Sequence, residues 1–94
     1  ACNGMDAVAH LAYINGTEFF YTKPELILEI ALKGVINTID AAIKNNIGQY
    51  WLMSSGEVYQ TPEHIPTNES VSLKVPDPLN PRYSYGGGRI ISEL

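Results

Sequence analysis

The chain has a single cysteine, Cys2, among its 94 residues. An internal disulfide is therefore impossible, and so is a zinc site built from cysteines. One cysteine fits a reducing compartment, and the expectation is a cytoplasmic protein without a metal centre. Basic residues are also scarce: six Lys and Arg stand against ten Asp and Glu, for a net charge of −4. The six are scattered, whereas neutralising a phosphate backbone needs clustered cations, so no nucleic-acid partner is expected. The surplus acid reads as a solvated surface. No apolar run approaches the roughly 20 residues that cross a bilayer, so no membrane partner is expected. The first residues, Ala1 to Asp6, lack a charged stretch followed by an apolar one, so they are not a secretory leader. The chain also opens without an initiator methionine, which is compatible with a start inside a longer protein.

What is present reads as globular. With 45% hydrophobic and 17% charged residues, the chain is neither low-complexity nor tail-like. Its length allows one small domain at most, marginal without further packing. Met5 to Leu11 is a short apolar run whose content suits a strand buried on both faces, although pattern alone leaves a buried helical turn open. Asn15-Gly16-Thr17 marks a loop, followed by the aromatic cluster Phe19, Phe20 and Tyr21. A helix is expected from Thr22 or Lys23, with Thr22 as N-cap, Pro24 in the first turn and Glu25 on the helix dipole. Leu28, Leu32, Val35, Ile36, Ile39 and Ile43 recur at steps of three and four, an apolar stripe. Glu29 and Lys33 form an exposed i, i+4 pair. Gly34 interrupts the helix, which implies something packed close to its backbone. Asn45, Asn46 and Gly48 end it.

Gln49 to Ser54 is the second strand. Strand, long helix, strand is a βαβ crossover, which predicts parallel neighbours joined right-handedly. Pro62, Pro66, Pro76, Pro78 and Pro81 make residues 61–81 a long loop, neither helix nor central strand. A further helix opens near Ser84. Two strands cannot cover both faces of their own sheet, so the fold class is α/β, a slice of a Rossmann-like parallel sheet.

Three segments fall at the carboxyl ends of these strands or at the start of the last helix, where an open α/β sheet places its ligand. They are His10-Leu11-Ala12-Tyr13, Ser54-Ser55-Gly56-Glu57-Val58-Tyr59, and Tyr83 to Arg89. Tyr85 and Arg89, four apart, share a helix face. A cation beside a phenol stabilises the phenolate, so Tyr85 could remove an alcohol proton while a hydride leaves for a nicotinamide. Ser55 could share the alcohol's hydrogen bond. Gly86, Gly87 and Gly88, unusual in a helix, would let a flat cofactor or substrate approach the backbone. His10 reads as a satisfied structural histidine and His64 as solvated. Glu57 is either a working carboxylate or a loop-fixing residue. Tyr13, Tyr59 and Tyr83 either line the site or pack beside it.

These segments, with Pro66, Thr67 and Glu69, the run Asn80 to Leu94, and Gly34, Asn37, Ala41 and Ala42 on the helix, resemble the extended short-chain dehydrogenase/reductases of the nucleotide-sugar epimerase/dehydratase family. The resemblance spans essentially the whole chain in order and spacing. It implies NAD, in preference to NADP, as cofactor and a nucleotide sugar as substrate. Ser55 and Tyr85 would be catalytic, with Tyr85 as acid/base. Arg89 would hold the nicotinamide ribose and tune the tyrosine. Leu11, Ala12 and Tyr13 would lie along the cofactor, with Ser54 in the same cleft, and Glu57 falls where dehydratases and decarboxylases carry a working glutamate. A homodimer through two helices from each subunit is implied too. Residues 1–94 would then be a partial NAD(P)-binding domain, without the glycine-rich phosphate loop or the substrate-binding region, and inactive alone.

Three positions depart from the family pattern. Arg89 replaces a lysine, and a planar fork is not equivalent to a compact ammonium. Ala31 replaces an asparagine that supports the active site. Gly56 replaces the acidic proton donor of the 4,6-dehydratases, which favours an epimerase-type activity. Arg89 and Ala31 also keep open a rival reading, a non-catalytic member retained for binding or assembly.

Overall fold

A computed structural model describes residues 1–94 as a mixed helix and strand fold around a two-stranded parallel sheet, a partial Rossmann-like α/β arrangement. Strand β1 (Ala7–His10) pairs with β2 (Gln49–Leu52), from Ala7 opposite Gln49 to His10 opposite Leu52. Both strands are shorter than the apolar runs that announced them. They are not buried on both faces either. Val8, His10, Tyr50 and Leu52 turn to the covered side, while Ala7, Ala9 and Trp51 are exposed, Trp51 to 65%. Alternation along a strand sends neighbours to opposite faces, and helices cover only one of them.

Helix α1 (Thr17–Thr22) occupies the stretch that reads as loop and aromatic cluster. Six residues carry too little periodicity to declare a helix, so tertiary contact has to hold this one. Phe20 is buried on Tyr85, their rings 5.2 Å apart. Helix α2 (Pro24–Lys44) follows after a single break at Lys23, which takes the N-cap position with no side-chain cap. Thr22 is therefore not the cap: its hydroxyl donates to the Glu18 carbonyl within α1. At the far end Asn46 has φ 52°, the left-handed conformation that asparagine tolerates.

The buried face of α2 meets the expected stripe at Val35, with Leu28 and Leu32 partly buried, and departs from it elsewhere. Ile27, Ala31, Val35 and Ala42 are buried, whereas Ile36, Ile39 and Ile43 are exposed. Apolar residues cover well over half of the helix circumference, and periodicity cannot say which part of so wide an arc faces the sheet. Tertiary contact settles it, because α2 packs on α1, α3 and β1. Thr38 joins helix to sheet: its hydroxyl donates to the Gly34 carbonyl at 2.8 Å and accepts from the Tyr50 hydroxyl at 2.6 Å. Gly34 faces the His10 ring, where a Cβ would stand 3.6 Å from Cε1.

Beyond β2 the chain makes a 3-10 turn at Gly56–Val58 and runs through the proline-rich loop to a second at Pro81–Tyr83. Asn80 caps that turn, accepting from the Arg82 amide at 3.0 Å, and Pro81 suits its first position. The turn leads directly into helix α3 (Ser84–Glu93), which packs on α2. Phe20, Ile27 and Tyr85 form the core cluster, with Tyr13 and Ile14 against it. The core and the candidate site therefore share a residue.

Candidate active site

Tyr85 lies in the first turn of α3 and Arg89 one turn later, both nine-tenths buried or more. The Tyr85 ring sits between two aromatic neighbours, stacked on Phe20 and edge-on to Tyr13 at 5.0 Å. Arg89 extends beneath Tyr13, its guanidinium carbon 3.8 Å from that ring's centroid. Its Nη1 donates to the Met53 carbonyl, just past β2, and its Nη2 makes a long hydrogen bond of 3.4 Å to the Tyr85 hydroxyl. Arg89 Nε is buried without a partner. The structure thus brings Tyr13, Tyr85 and Arg89 into one cluster at the carboxyl end of the sheet.

Two further groups respond to this buried cation. Burial pushes the Tyr13 phenol up to about 12; the Arg89 charge works against the rise and Tyr85 adds to it. Tyr13 therefore keeps its proton at neutral pH and is no base. Burial first, and the Arg89 charge second, hold His10 below the ordinary imidazole value. His10 was expected to be a satisfied structural histidine, yet its Nε2 is buried without a partner. The imidazole packs beside Gly34, where a Cβ would stand 3.7 Å from Nε2, and the Gly34 carbonyl is already taken by the Thr38 hydroxyl.

The serine side of the site is separate. Ser55 Oγ caps the Gly56–Val58 turn by accepting from the Glu57 amide at 3.3 Å, which leaves its own O–H free to donate. Ser54 Oγ donates to the Glu93 carboxylate. Both serines, with Met53, Glu69 and Glu93, line an open cleft of about 810 Å³. No hydrogen bond joins Ser55 to Tyr85, although the turn that holds Ser55 packs on α3. The Glu57 carboxylate lies 3.7 Å from Arg82 Nη2 and ties the two 3-10 turns together, a partly exposed pair of small energetic weight. Leu11 and Ala12 are exposed past β1, and His64 is exposed in the loop. Tyr59 and Tyr83 are half-buried, Tyr59 at the cleft and Tyr83 at the start of α3.

The three glycines do not hold open a path to the backbone. Protein already fills the space beside each one. A Cβ at Gly88 would collide with the Tyr13 hydroxyl and stand 3.1 Å from Ala31 Cβ. At Gly86 it would meet Gln60 Nε2 and stand 3.0 Å from the Glu57 carbonyl, and at Gly87 it would stand 3.5 Å from Val75. Composition could not separate packing from ligand approach, because both require the same missing side chain. Sequence reasoning also missed Phe20 and the Met53 carbonyl. The first was visible only as one of three aromatic residues, and the second, a backbone atom, leaves no sequence signal.

A family model described as the NAD dependent epimerase/dehydratase family matches residues 1–93. The chain belongs to that family. No curated protein matches it with significance. An epimerase/dehydratase of this family works with NAD(P), and the cluster fits such a group. Exposed Leu11 and Ala12 lead from β1 straight to Tyr13, whose ring lies on a buried cation with its Nε–H unpartnered. Ala31 is wholly buried against α3, where a Cβ at Gly88 would stand 3.1 Å from it.

Proposed function

We propose that this protein is an NAD-dependent nucleotide-sugar epimerase or a close relative, acting by transient oxidation of a sugar hydroxyl. The observation that carries the reading is the Arg89 Nη2 bond of 3.4 Å to the Tyr85 hydroxyl at the carboxyl end of the parallel sheet. The Arg89 charge stabilises Tyr85 as the phenolate, the form that takes the alcohol proton and becomes neutral as it does so. Ser55, whose O–H is uncommitted, donates to the same substrate oxygen. Leu11, Ala12 and Ser54 would hold the cofactor, and Arg89 would hold its nicotinamide ribose. NAD, when bound, takes up the hydride of the carbinol carbon and returns it. Tyr85 gives its proton back to the sugar oxygen as the keto sugar is reduced. Glu57, engaged with Arg82, positions the loop.

The second face of α2 supports a homodimer. Ile36 and Ile43 are 57% and 70% exposed there, on one side of the helix with Leu32 and Ile39. Burial of that face against its copy would stabilise a dimer by about 25 cal/mol for each Å² of apolar surface removed from water.

The test is turnover of UDP-, dTDP- and GDP-sugars with NAD by the full-length protein, read as epimerised product. Tyr85→Phe should lower kcat by about 100-fold or more, as expected for loss of a general acid/base. Turnover unchanged in Tyr85→Phe would overturn the reading. A second reading, a non-catalytic member, draws on the burial of Tyr85 beneath Phe20 and Tyr13. It predicts no product with any of the three sugar classes.

A further inference from the structure

We propose that Tyr13 is a positioning residue, an aromatic clamp that fixes the Arg89 guanidinium against the Tyr85 hydroxyl. The inference deepens the proposed reaction and rests on it. Arg89 has four side-chain torsions, and a flexible cation serves a phenol poorly unless something fixes it. The structure supplies contacts from three directions. The Tyr13 ring covers the guanidinium at 3.8 Å, closer than the Tyr85 ring at 5.3 Å. The Met53 carbonyl takes Nη1, and the remaining arm, Nη2, points at Tyr85 Oη.

Tyr13 is itself fixed by the helix that carries its partner. Its hydroxyl donates to the Tyr85 carbonyl at 3.5 Å, in space that Gly88 leaves vacant. Tyr13, Gly88 and Arg89 therefore act as one unit: the glycine admits the tyrosine, and the tyrosine clamps the arginine. An aromatic ring suits a guanidinium because planar groups stack face to face with two N–H arms left over. An ammonium stacks less completely and has no rigid fork to span Met53 and Tyr85. Tyr13 keeps its proton near Arg89, so it leaves the cation's charge to Tyr85.

Two readouts on the full-length protein test the clamp. The first needs no turnover: modification of arginine by phenylglyoxal, followed peptide by peptide. Arg82, partly exposed, is the internal reference. Arg89 should resist modification in the unmodified protein and in Tyr13→Phe, and should react at least tenfold faster in Tyr13→Leu. If Tyr13→Leu does not fold, Tyr13→Met carries the same comparison. Equal Arg89 reactivity with and without the ring overturns the clamp.

The second readout is kcat. Tyr13→Leu should lower it by about tenfold, the scale of one desolvated cation–π contact. Tyr13→Phe should restore it. With Arg89→Lys already in place, Tyr13→Leu should change kcat by less than twofold. The same tenfold loss in both backgrounds would make Tyr13 plain packing and overturn its positioning role. Absence of product in every variant would sink the proposed reaction, and the phenylglyoxal ratio would still decide the clamp.

Discussion

Alanine introduced separately at Gly86, Gly87 and Gly88 should have opposite effects on stability within one turn of one helix. In an unhindered helix each change gains about 1 kcal/mol, because glycine is the poorer helix former. At Gly87 that gain should survive, since the new Cβ meets Val75 Cγ2 at 3.5 Å, an ordinary contact. At Gly88 the Cβ would run into the Tyr13 hydroxyl and stand 3.1 Å from Ala31 on α2. Tyr13 is held by its stack on Arg89, and Ala31 belongs to a packed helix, so neither yields freely. Overpacking of this kind costs about 1–3 kcal/mol, which leaves Gly88→Ala less stable by about 1 kcal/mol. Gly86→Ala should behave alike, because the Glu57 carbonyl at 3.0 Å is backbone. Guanidinium denaturation of the three full-length variants measures this directly. The Gly87 and Gly88 variants should differ by about 2 kcal/mol, roughly 30-fold in the folding constant. Similar stabilisation of all three would refute the packing argument and show the glycine face of α3 to be open.

The His10 imidazole is held below its ordinary value, so the unfolded chain binds the proton more readily than the folded one. Stability should therefore fall as pH drops below about 6.5, by at most about 1.4 kcal/mol per unit. His10→Gln should flatten that slope in denaturation midpoints recorded from pH 7.5 to 5, and an unchanged slope would mean that another group carries it. Ile36→Lys with Ile43→Lys should convert the proposed dimer to monomer in sedimentation velocity while leaving the fold intact by circular dichroism. A dimer that persists would move the interface elsewhere. Tyr85→Phe should lose turnover without losing NAD binding by calorimetry; loss of both would make Tyr85 a structural residue.

The sequence by itself determined a good deal about this protein. The β-α-β order, the long helix opened by Pro24 and ended at Asn45 and Asn46, and the start of α3 at Ser84 are local in origin. They follow from proline, asparagine and apolar runs that act over a few residues. The Tyr85–Arg89 pairing was legible for the same reason, because a spacing of four on a helix fixes neighbours without reference to the rest of the fold. Tertiary structure alone decided the rest. It made a helix of Thr17–Thr22 through the burial of Phe20, and it chose Ile27, Ala31, Val35 and Ala42 from a much wider apolar arc. It gave the three glycines to protein neighbours, left His10 Nε2 unpaired, and laid Tyr13 across Arg89. Each of these depends on which groups meet across long separations in the chain, as Tyr13 meets Tyr85 and Arg89. Composition and local periodicity carry no record of such meetings.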